Sequence, residues 1–169
     1  MSWLPYINDY KPFYLQTEED SVAWDTTVYG LVAKSSPYSA LPEPKDVYKN
    51  DYKDEDGDDE YNTEMHYKSF TFKVKFYIKA YTNGTRRAAD VLRSQMAAFF
   101  EHIRNGEFSV YDAYTGLGRR KVRYAGYEEA DGGFKARDDW ARLIFSVTFK
   151  VNDPVTAMTL TDGKIVEIE

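Results

Sequence analysis

The chain has 169 residues, no cysteine and a net charge of -6, from 28 acidic and 22 basic side chains. That length can bury a core without staples, and the absence of thiols excludes both a disulfide framework and a thiolate metal site. The acidic balance argues against nucleic acid, and against nucleic-acid sequence recognition, because phosphate binding needs a cationic footprint. No apolar run approaches the roughly 20 residues that span a bilayer. Met1 to Tyr10 lacks the basic and apolar stretches of a signal peptide. Aromatic residues make up 17% of the chain, 15 of them tyrosine. An apolar ring with a polar tip suits half-exposed strands and protein contacts alike.

In chain order, residues 11–30 read as two short strands: Phe13 and Leu15 alternate with Tyr14 and Gln16, and a β-branched and aromatic stretch runs from Trp24 to Val32. Pro37, Pro42 and Pro44 then break regular structure. They lead into an acid-dense block around Lys49–Glu60, which repels itself and cannot be buried. The stretch 35–66 is thus expected to be a long acidic excursion from the core. Tyr67–Tyr81 is the clearest strand. Phe70, Phe72, Val74, Phe76, Ile78 and Ala80 fall on one face, and Thr71, Lys73, Lys75, Tyr77, Lys79 and Tyr81 on the other.

Residues 85–105 form the one amphipathic helix, with Thr85 as its expected N-cap and Gly106 beyond its end. Its apolar stripe of Ala88, Val91, Leu92, Met96, Phe99, Phe100 and Ile103 should lie on the Phe70–Ala80 face. Strands follow at 107–113, 119–127 and 140–151, the last alternating Ala141, Leu143, Phe145, Val147, Phe149 and Val151 against polar neighbours. Residues 157–168 close with a hairpin about Asp162-Gly163. The reading is one α+β domain over 1–169: a mainly antiparallel β-sandwich or partly closed barrel flanked by one helix.

No constellation for chemistry emerges. If Gly57 is set at the sixth position of a calcium loop, Tyr52 and Thr63 fall at positions one and twelve, where carboxylates belong. His66 and His102 have no triad partner at a suggestive spacing. Glu128-Glu129 and Asp138-Asp139 are adjacent pairs whose side chains diverge on a strand. Thr115-Gly-Leu-Gly118 lacks the Lys-Ser/Thr of a phosphate loop and reads as a hairpin turn. We therefore expect no catalytic, cofactor or metal site and no enzyme. The remaining pointed features are charges of opposite sign: Asp54, Asp56, Asp58, Asp59 and Glu60 against Arg119, Arg120, Lys121 and Arg123. The basic run suits a solvated edge strand, or a contact with the acidic block of a neighbouring copy.

The order of these pieces resembles that of the distal tail proteins of long-tailed phages and prophages, especially their N-terminal ring domain. The likeness rests on Val28-Tyr-Gly30, Pro42-Glu-Pro-Lys45 with Asp56-Gly57, the long strand 67–81 and the helix closing at Asn105-Gly106. It continues through Tyr111-Asp112, Gly118-Arg-Arg-Lys-Val-Arg123 and the Phe149 to Asp153-Pro154 ending, covering about Leu15 to Pro154. The resemblance implies a virion tail protein, assembled in the bacterial host cytoplasm. It implies a hexameric ring of identical copies at the junction of tail tube and baseplate, in contact with other tail proteins. About 15 residues follow Pro154, so a ring or adaptor role is expected rather than adsorption. The alternative from a different class is a monomeric β-barrel that holds a small apolar ligand in its aromatic interior.

Overall fold

A computed structural model describes residues 10–35, 42–46, 49–50, 59–60, 66–130 and 132–168. Its backbone is organised by the pairing of two 12-residue strands, β6 (Phe70–Tyr81) and β10 (Trp140–Val151), in unbroken antiparallel register from Trp140 opposite Tyr81 to Val151 opposite Phe70. Period-two alternation sends Phe72, Val74, Phe76 and Ile78 inward from β6, and Leu143, Phe145, Val147 and Phe149 inward from β10, all buried.

The other strands are β1 (Phe13–Thr17), β2 (Trp24–Asp25), β3 (Leu31–Ser35), β4 (Lys49–Asn50), β5 (Asp59–Glu60), β7 (Phe108–Asp112), β8 (Gly118–Glu129), β9 (Lys135–Ala136), β11 (Met158–Thr161) and β12 (Lys164–Glu167). The main sheet runs β2-β1-β7-β8-β10-β6-β3, and β9 pairs with the end of β10. Every pairing is antiparallel. β4 and β5 form one small ladder, and β11 and β12 another.

Chain length forces this sheet to curl. β2 and β3 lie at its two edges, yet Asp25 and Leu31 are six residues apart in sequence. Six residues reach about 20 Å at most, whereas seven strands laid flat would hold the edges about 29 Å apart. The fold-over is visible in the core: Phe13 of β1 lies 6.4 Å from Phe72 and 6.1 Å from Phe76 of β6, between ring centroids. The two edges do not pair, so the sheet is sandwich-like rather than a closed barrel. Its interior is filled by Phe13, Phe72, Phe76, Phe145 and Phe149.

Helix α1 (Ala88–Ile103) lies across the inner face, burying Ala88, Leu92, Phe99 and Ile103. Phe99 sits 5.8 Å from Phe76. The helix starts three residues later than the expected Thr85 cap, because Asn83 and Arg86 exchange backbone hydrogen bonds around Gly84. Arg87 occupies the N-cap without a side-chain bond. The expected strand from Trp24 to Val32 is also interrupted. The Asp25 carboxylate accepts from Thr27 N–H at 2.9 Å and caps a 3-10 turn over Thr26–Tyr29, and Gly30 ends that turn in the left-handed region at φ 77°. The tail hairpin turns through Asp162 and Gly163, both at positive φ.

The tail hairpin packs on β8 at Gly118, where an added Cβ would overlap the Met158 carbonyl. Gly118→Ala should therefore destabilise the fold by about 1–3 kcal/mol. Gly126→Ala, whose Cβ would meet Thr148 at ordinary contact distance, should stay within about 0.5 kcal/mol. Urea unfolding of both variants measures the difference.

Candidate functional site

The structure gives each member of the basic run a different environment. Arg119 is 9% exposed, and its Nη1 donates to the Gly118 carbonyl at 2.8 Å. Arg120 reaches the tail: its Nε donates to Asp153 Oδ2 at 2.6 Å, and Nη1 lies 3.8 Å from Glu167. Lys121 is exposed and held at φ 54°, in the irregular stretch where the β7–β8 register shifts. Arg123 is exposed, pairs across the ladder with Lys150 and donates to the Tyr124 carbonyl at 3.3 Å. Lys121 and Arg123 are thus the members that present cationic heads to solvent. Of the acidic partners, Asp54, Asp56 and Asp58 lie outside the described residues. Asp59 and Glu60 are described as backbone only, paired with Asn50 and Lys49. Most of the excursion 35–66 also lies outside them.

A second grouping had no local signal in the sequence. Its side chains stand 82 and 73 positions apart and meet only because the β1–β2 turn packs on the end of α1. His102 Nε2 lies 3.0 Å from Asp20 Oδ2, and Nδ1 lies 2.9 Å from the Tyr29 hydroxyl. Trp24 Nε1–H and Thr17 N–H also donate to Asp20 Oδ2, at 2.9 and 3.0 Å. A carboxylate only accepts, so in the neutral imidazole Nε2 carries the hydrogen and Nδ1 accepts from the phenol. The Trp24 ring stacks on the imidazole at 4.2 Å. Burial, then the Asp20 charge, pushes the Tyr29 phenol up from its ordinary pKa. Burial opposes ionisation of Asp20, but the Thr17 and His102 hydrogen bonds outweigh it and hold the carboxyl below its ordinary range. The arrangement is a polar clamp that fixes the β1–β2 turn to the helix.

Two open concavities adjoin these groups. A cleft of about 930 Å³ is lined by Asp20 and His102 of the clamp and carries Glu18, Glu19, Glu101 and Glu107 together with Arg120 and Lys121. On the other side of α1, a groove of about 370 Å³ is lined by Met96, Phe100, Tyr124, Tyr127 and Phe145. Phe100 and Tyr127 are 46% and 44% exposed, and Phe134 nearby is 50% exposed. These exposed aromatics are grouped along one groove.

No family model matches the sequence, and no curated protein matches it. Among solved structures, the crystal structure of the Dit protein of phage SPP1 is similar, with a TM-score of 0.56 at 15% identity. The chain has a distal-tail-like fold. The match covers 87% of this chain and 52% of the Dit protein, so the chain spans about half the length of that relative. The Dit protein is described as a paradigm of the hub adsorption apparatus in phages that infect Gram-positive bacteria.

The Arg120–Asp153 pair makes stability dependent on pH. Burial raises the Asp153 pKa, but hydrogen bonds from Arg120 and the Thr156 and Val155 amides prevail and bring it to about 2. A depressed carboxylate stabilises the fold above its unfolded pKa and loses that stabilisation as pH falls towards its folded one. The contribution, about 1–2 kcal/mol given a half-exposed arginine, should vanish between about pH 4 and pH 2. Asp153→Asn should remove that part of the acid sensitivity and lower stability at neutral pH. Chemical denaturation across the pH range measures both effects.

Proposed function

We propose that the chain is a structural component of a phage or prophage tail and acts by assembling rather than by catalysis. Its copies form a ring, in our reading a hexamer, at the junction of tail tube and baseplate. The ring also contacts other tail proteins, belongs to the virion tail and is assembled in the host cytoplasm. The carrying observation is the fold itself: a curled antiparallel sheet with one helix that matches a phage hub protein over 87% of this chain. The exposed aromatic groove along α1 supports the reading, because such surfaces are normally covered in an assembly. In this reading Asp54, Asp56, Asp58, Asp59 and Glu60 are the acidic half of a subunit contact, and Lys121 and Arg123 belong to the basic half. The monomeric ligand-binding barrel gains no support from an interior filled with phenylalanine rings.

Sedimentation velocity and electron microscopy test the proposal. Rings should appear as concentration rises, or when the chain is co-expressed with tail-tube and tape-measure partners. A chain that stays monomeric at high concentration with those partners present would sink it. Phe100→Glu combined with Tyr127→Glu should weaken assembly while leaving the circular dichroism spectrum of the monomer unchanged.

A further inference from the structure

The outward face of the main sheet gathers cations where strand register brings them together. Arg142 of β10 stands directly opposite Lys79 of β6 on one side and Lys135 of β9 on the other. Three adjacent strands therefore carry a row of three cations, spaced at roughly 4.8 Å per strand. Like charges in directly opposed positions destabilise a sheet. At the far end of β10, Lys150 faces Arg123 of β8, and Lys73 and Lys75 lie between the two ends. The one carboxylate among the described outward residues of these strands is Glu128, 3.3 Å from Lys73 and some way along the ladder from the row. Asp138 and Asp139 lie beyond the row, in the β9–β10 turn.

Within the row, neither Lys79, Arg142 nor Lys135 makes an ion pair with any described residue. The Lys79 ammonium sits over the Trp140 and Tyr81 rings, at 5.0 and 5.4 Å. Arg142 Nε is buried without a hydrogen-bond partner. An anion seated on this face would relieve the repulsion among the three cations.

The same chain carries a fitting anion. Seven of its 28 acidic and one of its 22 basic side chains lie in residues 51–60, so that block holds the whole net charge of -6 and the remainder is neutral. Because Lys49 and Asn50 pair with Glu60 and Asp59, residues 51–58 connect two paired strands. The same block would repel a nucleic-acid backbone approaching this molecule, which favours an acidic peptide over phosphate as the occupant.

We infer that the row Lys135–Arg142–Lys79 is the docking site for the acidic block 51–60 of a second copy of this chain. The inference rests on the assembly proposed above. It moves the centre of the basic half from the Arg119–Arg123 run, of which Arg123 reaches this face, to the β9–β10–β6 register. A basic face and an acidic block on one chain make a head-to-tail contact.

Because the chain lacks cysteine, single-cysteine variants of the full chain report contact directly. Asp56→Cys is mixed with Ile144→Cys, which lies on the outward face two residues from Arg142, under mild oxidation. The reference mixture pairs Asp56→Cys with Glu101→Cys on the exposed side of α1. The first mixture should form heterodimers at least about tenfold faster than the reference, with the advantage lost at high salt. Adding Lys79→Glu and Arg142→Glu to the Ile144→Cys chain should abolish the advantage.

Equal trapping rates overturn the inference. So does a doubly substituted Asp56→Cys, Ile144→Cys chain that closes on itself in dilute solution, since the contact is then internal. A DNA duplex whose binding is lost in Lys79→Glu with Arg142→Glu, while trapping stays at the reference rate, assigns the face to nucleic acid and also overturns it. Rings without preferential trapping defeat this inference and leave the assembly proposal standing. Preferential trapping in a chain that never closes into rings does the reverse.

Discussion

The phenylalanines that β1, β6 and β10 turn inward meet across a sheet that has folded over on itself, and the other elements take their places from that contact. Phe13 stacks on Phe149 at 5.7 Å and reaches Phe72 and Phe76 across four strand positions. The connection from β2 to β3 is too short for the sheet to lie flat. Given that curl, one amphipathic helix is enough to cover the remaining inner face, and Phe99 inserts against Phe76 to do so. Large aromatic side chains bury much apolar area at few positions, which lets one curled sheet and one helix share a single core.

The same pleat dictates the surface. On a strand whose inward positions are apolar, the outward positions are left for polar side chains, and on β6 these include three lysines. Cross-strand register then places Arg142 between Lys79 and Lys135. A face that is costly for the isolated molecule and an aromatic groove beside α1 are two surfaces that assembly would satisfy, and the block 51–60 holds the whole net charge of the chain. The polar clamp of Asp20, His102, Tyr29 and Trp24 ties the β1–β2 turn to the end of α1, and its Asp20 and His102 also line the open cleft beside it.

Similarity at 15% identity identifies a fold and leaves the chemistry of the surfaces to be argued from this chain's own residues. Here they carry opposite charges on separate stretches of the chain, the acidic block at 51–60 and the cations of β6, β9 and β10. The salt links from Arg120 join β8 to Asp153, just past β10, and to Glu167 of the tail hairpin. That engages Arg120 within its own chain while leaving its side chain half-exposed.

What the sequence determined by itself was everything that local periodicity encodes. The inward and outward faces of 70–81 and 140–151 are legible because the side-chain period of a strand is two. The helix stripe is legible because its spacing is three and four, and the Asp162-Gly163 hairpin because its turn demands positive φ. Tertiary structure decided what depends on pairings between distant segments. Asp25 and Gly30 broke an expected strand into a turn, since a side-chain cap and a left-handed glycine outweighed β-propensity there. The basic run looked like one patch because its members are consecutive, but a strand with a register shift sends neighbours to different places. His102 acquired partners 73 and 82 positions away, and the row of Lys79, Arg142 and Lys135 exists only in the register of three strands. No local pattern encodes such juxtapositions, because the chain must close its loops before those residues meet.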